Sequence, residues 1–313
     1  MASSVVKLGA DFFSEFTSWD DLLDGMQEAE QLGYDSLWMP DHVLPSTGEV
    51  EGPILEPYMA MAGVAANTTK ASLGFLVSPI SLRNPALTTK MITTLDHISH
   101  GRAVLGIGGG WAEEEYRQYG ADFGNSPGQR LEWLEEALPM ISGMLKGTRP
   151  SPTGPRWNMR DVVNSPPPVQ QNLPILIGGA GKKVTLRLVA KYADMCNMIG
   201  PADAIADRDQ ILIAHCETVG RDPNEIERTV GIRQPIIRDS KSEAEKVLHE
   251  TFAHHQAKHL TGMGHAGTVS DIVGLCNDYI SIGYRHLIFQ FLSPFDDETL
   301  TRLATEVRTQ LPN

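Results

Sequence analysis

Short apolar runs alternate with longer segments of helical periodicity along nearly the whole chain. The first run, VVKLGAD, precedes a helix that we expect to begin near Ser18, where Ser18 and Asp21 form a capping pair ahead of an apolar stripe. Gly33 stands where that helix should end. The second run, SLWMP, is followed at once by Asp41 and His42. This ending leaves two interpretations of His42, a structural residue or a group that works at the rim of a pocket.

Six more apolar runs continue the pattern, and a helical segment follows each of them. They read ASLGFLVSP, RAVLGIG, LPILIGG, ADMCNMI, RTVGIRQPII and RHLIFQF, and the helix after ASLGFLVSP is expected to begin at Asn84 and Pro85. Strands that are apolar almost throughout, alternating with amphipathic helices, are typical of parallel strands buried on both faces. Eight such units predict an α/β fold, a closed (β/α)8 TIM barrel. The alternative is a doubly wound sheet with a second domain.

Nothing in the composition divides the chain, so we expect residues 1–313 to form one domain. The proline-rich segment from Gly147 to Leu173 lies between the fourth and fifth predicted strands. We interpret residues 147–173 as an insertion that lies over the mouth of the barrel.

Charge and cysteine content narrow the classes of function. The formal net charge of −13 argues against binding to nucleic acid or to an anionic membrane, because both require clustered Lys and Arg. The three cysteines are odd in number and far apart, which predicts neither a disulfide framework nor a zinc site. The chain shows neither a signal-peptide pattern nor an apolar stretch of roughly 20 residues. We therefore expect a cytoplasmic protein.

Barrel enzymes carry their chemistry at the carboxyl ends of the strands, so the residues that follow each predicted strand are the candidates for a site. Asn197 and Arg233 follow the sixth and seventh strands and are expected, with Trp111, to line a pocket. Two roles remain open for Arg233, which could hold a substrate anion or pair with an acidic neighbour. The neighbouring Asp41 and the predicted place at a pocket rim favour a catalytic role of His42, but a structural role stays open.

The stretch IGGAGKKVTLRLVAKYAD takes a strand through a glycine-rich turn directly into a helix. Exposed backbone amides at such a helix start attract an anion, and Lys182 and Lys183 would add positive charge. The turn is therefore a candidate phosphate site, and the alternative is a tight turn that needs glycine only for its backbone angles. It does not have the spacing of a Walker loop.

The stretch GIGGGW suggests a dinucleotide fingerprint only at first sight. The pattern G-x-G-x-x-G demands Gly at position 111, where Trp111 stands, so we reject a Rossmann site. The glycines at 108–110 still favour a planar group lying against bare backbone, with a flexible loop as the alternative.

A metal site is not favoured. His97 and His100 belong to the end of the third helix, away from the catalytic end of a barrel. The group His254, His255 and His259 has helical spacing but lies on a polar segment without an acidic ligand beside it. We expect no metal.

Three stretches together give the chain a family resemblance. LWMPDH, LGFLVSPISLRNPALTTKMITTLDHISHGRAVLGIGGGWAEEEYRQYG and PPVQQNLPILIGGAGKK are similar to the luciferase-like monooxygenase superfamily. Within it the chain most resembles the single-component oxidoreductases that use the deazaflavin coenzyme F-420. The resemblance covers nearly the whole chain, and its most specific part runs from TLDHISHGR into GIGGGWAEEEY. It implies a (β/α)8 barrel with an insertion, and in many members a homodimer.

The resemblance also implies roles for individual positions. Leu76 and Val77 match the place where such proteins carry a non-prolyl cis peptide behind the cofactor ring, and His42 matches the proton donor or base of family dehydrogenases. Other positions match residues that contact the ring or the cofactor phosphate: Asp41, Ser78, Gly109 and Gly110 for the ring, and Gly178, Gly179, Ala180 and Gly181 for the phosphate loop.

Two departures argue against a sugar-phosphate substrate. Trp111 stands where sugar-phosphate dehydrogenases of the family carry a carboxylate, and CNMIGPAD lacks their phosphate-binding Lys. We interpret Trp111 as a wall of an apolar pocket. The implied reaction is hydride transfer between reduced F-420 and a small hydrophobic substrate, with His42 moving the proton. The alternatives are an FMN-dependent monooxygenase served by a separate reductase, and a barrel that binds flavin without catalysis.

Overall fold

The computed structural model describes residues 5–255 and 263–312. Within these residues the strands are β1 (Lys7–Phe12), β2 (Ser36–Met39), β3 (Ser72–Phe75), β4 (Ser78–Pro79), β5 (Ala103–Gly108), β6 (Ile175–Gly178), β7 (Met195–Ile199), β8 (Glu227–Ile232), β9 (Pro235–Ile237), β10 (His265–Gly267) and β11 (His286–Phe291).

The α-helices of the described residues are α1 (Trp19–Gln31), α2 (Pro57–Asn67), α3 (Pro85–Ile98), α4 (Glu113–Tyr119), α5 (Pro127–Leu145), α6 (Thr185–Tyr192), α7 (Ala202–Val219), α8 (Lys241–His254), α9 (Val269–Ser281) and α10 (Asp297–Arg302). A π-helical turn (Leu303–Val307) and a 3-10 turn (Arg308–Gln310) extend α10, and a further 3-10 turn covers Pro223–Glu225. The predicted start of α1 is confirmed, since the Ser18 hydroxyl accepts a hydrogen bond from the amide of Asp21. Asn84 caps α3 as predicted.

Parallel pairing closes the sheet into a barrel. The hydrogen-bonded order is β3-β2-β1-β11-β8-β7-β6-β5, and β3 also pairs with β5, which joins the two ends. These eight strands confirm the predicted (β/α)8 barrel. Because every pairing is parallel, the carboxyl ends of all eight strands meet at one end of the barrel, and the site is expected there.

Two predicted strands were wrong in their extent. RTVGIRQPII is not one strand: β8 ends at Ile232, and β9 pairs with β10 in a separate two-stranded sheet. ASLGFLVSP is interrupted as well, because Gly74 pairs with Val104 and Ser78 pairs with Ile107. Three residues of this strand, 75–77, therefore face two residues of β5, 105–106, which makes a bulge toward the barrel mouth.

The bulge explains the first glycine of GIGGG. A β-carbon on Gly106 would lie 1.7 Å from the carbonyl oxygen of Phe75, so the bulge leaves room for no other residue there. The side chain of Val77 then turns inward and fills space beside Gly108 and Gly178, where added β-carbons would lie 2.7 and 2.8 Å from its methyl groups. Beneath it a separate apolar cluster occupies the barrel interior: Trp38, Val104, Leu176, Met195 and Ile288.

The insertion between β5 and β6 lies on the flank of the barrel. Its hydrogen bonds run to α3 and α5: the Asn164 amide donates to Thr93, and the Trp157 indole donates to the carbonyl of Trp133. The prediction that residues 147–173 lie over the barrel mouth is therefore wrong. Polar groups on the outer helices hold the segment, and a proline-rich composition gives no information about which surface it covers.

Asp96 fixes the end of this insertion. Its carboxylate is buried and accepts hydrogen bonds from the amides of Val169, Gln170 and Ala103, and from the side chain of Gln170. One acidic side chain in TLDHISHGR thus ties α3, the start of β5 and the insertion together. This stretch therefore has a structural role in the fold.

Asp96→Asn should lower the free energy of unfolding by about 2–4 kcal/mol, because the new NH2 group faces donors and the charge that strengthened their hydrogen bonds is lost. Urea denaturation measures this change. Asp24→Asn, at an exposed position of α1, is the control and should leave the free energy within about 0.5 kcal/mol of wild type. Equal stabilities of the two variants would contradict the assignment.

Candidate active site at the barrel mouth

A cavity of about 400 Å³ opens at the carboxyl ends of the strands. Its described walls are mainly apolar, with a few polar groups converging on them, as in most small-molecule sites. The apolar lining residues are Phe13, Pro40, Leu76, Trp111, Ile199, Phe252, Met263 and Leu292, and the polar ones are His42, Ser46, Thr47, Arg233, Gln234 and Gln290.

His42 lies on this cavity and is held from behind by Glu115. Its Nδ1 is 3.2 Å from both carboxylate oxygens of Glu115, whose side chain is 2% exposed. The same carboxylate accepts a hydrogen bond from the amide of Val43. With Nδ1 directed at a carboxylate, Nε2 is the ring atom available to a ligand.

The charges around His42 favour its protonated form. Burial lowers the pKa of His42, but the hydrogen bond to Glu115 and the negative charges of Glu115, Glu15 and Asp41 outweigh burial and raise it above the ordinary value. Glu15 lies behind the cavity, where its carboxylate accepts hydrogen bonds from the amides and hydroxyls of Ser46 and Thr47. A positively charged imidazole on the cavity wall can donate a proton there.

Trp111 stands beside this histidine at the entrance. The two rings meet edge-on at 75°, with their centroids 5.3 Å apart, and Trp111 is 65% exposed. The structure therefore places Trp111 on the cavity, where the sequence predicted it. An indole in this position narrows the entrance and offers an apolar surface to a ligand.

Asp41 and Ser78 are not among the described residues that line the cavity; they lie behind that lining. Asp41 is buried, and both of its oxygens accept hydrogen bonds of 2.8 Å from Arg83, which also binds Glu56. The hydroxyl of Ser78 is 2.8 Å from the hydroxyl of Tyr58. Protein groups thus already bind both side chains, and their contact with a cofactor stays a prediction.

The peptide bond between Leu76 and Val77 is cis, as the resemblance implied. Leu76 and Val77 both pack against the apolar cluster in the barrel interior, and Leu76 also lines the cavity. The bulge therefore gives the cavity an apolar wall.

Gly109 and Gly110 face protein atoms. A β-carbon on Gly109 would lie 3.3 Å from Leu131, and one on Gly110 would lie 2.4 Å from the hydroxyl of Tyr116. Packing, together with a φ of +79°, is sufficient to explain Gly110, whereas the approach at Gly109 is tight without excluding a side chain; the predicted contact of both glycines with a cofactor ring is untested.

The loop from Gly178 to Gly181 joins β6 to α6 and is partly open to solvent. Gly179 has a φ of +111°, which excludes most other residues, and its amide donates to the carbonyl of Asn197. Arg208 donates to the carbonyl of Ala180 and steadies the turn. Among the hydrogen bonds of the described residues, none is donated by the amides of residues 181–184, so these amides could serve an anion.

The structure separates the two other predicted pocket residues. Asn197 is buried in the barrel, where its amide donates to the hydroxyl of Thr229, and it does not line the described cavity. Its side chain is directed toward β8, and its expected place in a substrate pocket stays a prediction. Arg233 does line the cavity, as does its neighbour Gln234.

Three functional candidates were missed from the sequence: Glu115, Asp11 and Gln290. Asp11 and Gln290 lie within β1 and β11, at paired positions facing the barrel interior, and the Gln290 amide donates to Asp11. Burial raises the pKa of Asp11 to about 7, with the hydrogen bond from Gln290 and the charge of His42 opposing it. The signal in the sequence that could have identified Asp11 is an acidic residue at an inward-facing position of an otherwise apolar strand. Glu115 was obscured in a run of three glutamates.

Metal and membrane features are absent from the parts of the chain that the structure describes. No group of three or more His, Cys, Asp or Glu side chains could hold a metal ion there, and no helix is long and apolar enough to cross a membrane. His255 contacts Thr47 and the carbonyl of Ser293. His259 lies outside the described residues.

Glu115→Gln should lower the pKa of His42, because it removes the carboxylate that stabilises the imidazolium. An NMR titration of the histidine ring protons measures this pKa, with His42→Ala identifying the signal. Glu113→Gln, on the exposed face of the same short helix, is the matched control and should leave the titration unchanged. An unaltered His42 titration in Glu115→Gln would rule out the carboxylate as its cause.

Curated relatives match most of this chain. A curated F-420-dependent glucose-6-phosphate dehydrogenase of Kineococcus radiotolerans is 26% identical over 96% of each chain. Mycobacterial relatives without an assigned function are 29% identical over 53% of this chain, and the match spans 63% of their own length.

Two solved structures share the fold. An F-420-dependent secondary alcohol dehydrogenase in complex with an F-420–acetone adduct gives a TM-score of 0.84 at 17% identity, over 96% of this chain and 97% of that one. The oxygenating constituent of 3,6-diketocamphane monooxygenase from Pseudomonas putida, in complex with FMN, gives 0.76 at 16% identity over 99% of both. The model of the luciferase-like monooxygenase family matches residues 6–272, and the chain therefore belongs to that family of enzymes.

Proposed function

We propose that this protein is an F-420-dependent oxidoreductase that transfers a hydride between the reduced deazaflavin and a small, largely hydrophobic organic substrate. The observation that carries the proposal is the His42–Glu115 pair on the wall of an apolar cavity. A buried carboxylate that raises the pKa of an imidazole beside such a cavity is the arrangement expected for proton transfer to a substrate.

The residues present fit a flavin-like cofactor. The mouth cavity has the size and apolar lining of a small-molecule site, and Leu76 at the bulge supplies one flat wall. The amides of residues 181–184, at the end of the glycine-rich turn, donate no hydrogen bond among the described residues and are available to a phosphate. The F-420-dependent dehydrogenases among the relatives and structures favour the deazaflavin.

When bound, the deazaflavin would supply the hydride and accept it back. The protein contributes orientation, exclusion of water and a proton. Glu115 fixes the His42 ring through Nδ1 and leaves Nε2 to give a proton to the substrate during reduction, or to take one during oxidation. Trp111 and the apolar walls limit access of water to the reacting groups.

An FMN-dependent monooxygenase is the second candidate, favoured by the FMN-bound neighbour of the same fold. That reaction would insert oxygen and would require a separate reductase. A barrel that binds flavin without catalysis is the third. The expected homodimer and cytoplasmic location stay predictions.

Equilibrium binding of oxidised and reduced F-420 and of FMN, measured side by side by fluorescence titration, tests the cofactor. We expect F-420 to bind at micromolar concentration or below and FMN to bind more weakly. A clear preference for FMN would replace the hydride-transfer proposal with the monooxygenase, and binding of neither would refute both.

His42→Ala should reduce turnover by about 10²- to 10⁴-fold, the usual contribution of a positioned acid or base, while F-420 still binds. Substrate-dependent oxidation of reduced F-420, followed by its absorbance, gives the rate. His249→Ala, on the exposed face of α8, is the control and should retain wild-type turnover. Full activity in His42→Ala would make His42 a structural residue.

A further inference from the structure

Arg233 stands between two cavities at the carboxyl end of β8. It lines the mouth cavity and also a second cavity of about 340 Å³, and the two share Ile199, Arg233 and Met263. Its guanidinium can therefore be reached by a ligand in either space.

No protein group neutralises this arginine within the described residues. It makes no hydrogen bond and no ion pair there, whereas Arg83 is bound to Asp41, Arg228 to Asp209 and Arg238 to Asp296. Arg233 is exposed and lies on a cavity whose described lining contains no acidic residue, so its charge is available to an anionic ligand. Of the two roles that the sequence left open for Arg233, the acidic neighbour is absent from the described part of the chain.

The charges of the two cavities differ. None of the described residues that line the mouth cavity is acidic, so the face of Arg233 toward His42 is open to an anion. The second cavity contains Asp278 and His265. Burial and the charge of Arg233 lower the pKa of His265, which leaves that ring neutral near pH 7. An anion bound to Arg233 is therefore stabilised more on the mouth-cavity side than in the second cavity, where it would lie beside Asp278.

We infer that the substrate is an apolar carboxylate whose carboxylate group binds Arg233 while its reactive carbon lies near His42. This inference deepens the proposed function and rests on it. One guanidinium fork matches one carboxylate, whereas a phosphate dianion generally recruits more cations than the described lining provides. Ile199, Phe252 and Met263 give the apolar body its surface. When bound, reduced F-420 would supply a hydride to the reactive carbon of a carbonyl or activated double bond, and His42 would give its proton to the carbonyl oxygen or to the other end of the double bond.

The test uses octanoate, its neutral isostere octanamide, and octyl phosphate, titrated calorimetrically into the purified protein without cofactor. Wild type should prefer octanoate. Arg233→Gln should weaken octanoate binding by about 10- to 100-fold, the loss expected for a charge-assisted hydrogen bond, and leave octanamide unchanged. Arg233→Lys should retain part of the affinity. Arg160→Gln, an equal change of charge on the exposed insertion, is the control and should behave as wild type.

Each other outcome overturns the inference in a distinct way. Equal octanoate affinity in wild type and Arg233→Gln excludes the carboxylate site, and tighter binding of octyl phosphate than of octanoate excludes a carboxylate as the preferred anion. Loss of F-420 binding in Arg233→Gln with octanoate unaffected assigns the arginine to the anionic tail of the cofactor. If wild type binds octanoate through Arg233 but does not bind F-420, the proposed function fails and the carboxylate site stands.

Discussion

One extra residue in the third barrel strand constrains the whole upper half of the barrel. Because residues 75–77 face only two residues of β5, the carbonyl of Phe75 occupies the place of a side chain at position 106. Val77 is turned inward and closes the top of the interior cluster around Trp38. Leu76 packs against the same cluster and also lines the cavity. A single local departure from regular pairing thus lies where the packed interior meets the ligand-accessible mouth.

Buried carboxylates behind the cavity wall influence the charges at the mouth of the barrel. Three carboxylates, of Glu15, Asp41 and Glu115, lie behind the cavity wall, and each is held by protein donors. Their charges raise the pKa of His42, which lines the cavity. They therefore favour a cationic group on this wall although the chain as a whole is acidic. Arg233 adds a second positive charge at the other side of the same space.

The repeating pattern of the sequence was sufficient to predict the barrel, since each strand and each helix has its own local signal. The strand ends were equally informative: His42, Trp111 and Arg233 all line the cavity. Residues whose partners are distant in sequence were not predictable. Glu115 differs from Glu113 and Glu114 only by facing inward on α4, and its partner lies 73 residues away.

The same limit applies to the glycines and to the insertion. The sequence favoured Gly109, Gly110 and Gly178 as ligand contacts, but each lies against a side chain of the protein itself. Likewise, the outer position of residues 147–173 depends on acceptors such as Asp96 and Trp133, which no pattern within the segment indicates. The role of these glycines and the position of the insertion both depend on contacts with residues distant in the chain, and a sequence pattern does not reveal such contacts.

Asp11 has a consequence for the stability of the fold. Its folded-state pKa of about 7 exceeds the ordinary 3.8, so between these pH values the unfolded chain has released a proton that the folded barrel retains. The fold therefore binds the additional proton, and the contribution of Asp11 to stability decreases as the pH rises through this interval and levels off above it. Above a pH of about 7, Asp11 carries a negative charge at the centre of the barrel, where the charge of His42 favours it and Gln290 is the only hydrogen-bond partner of its carboxyl among the described residues.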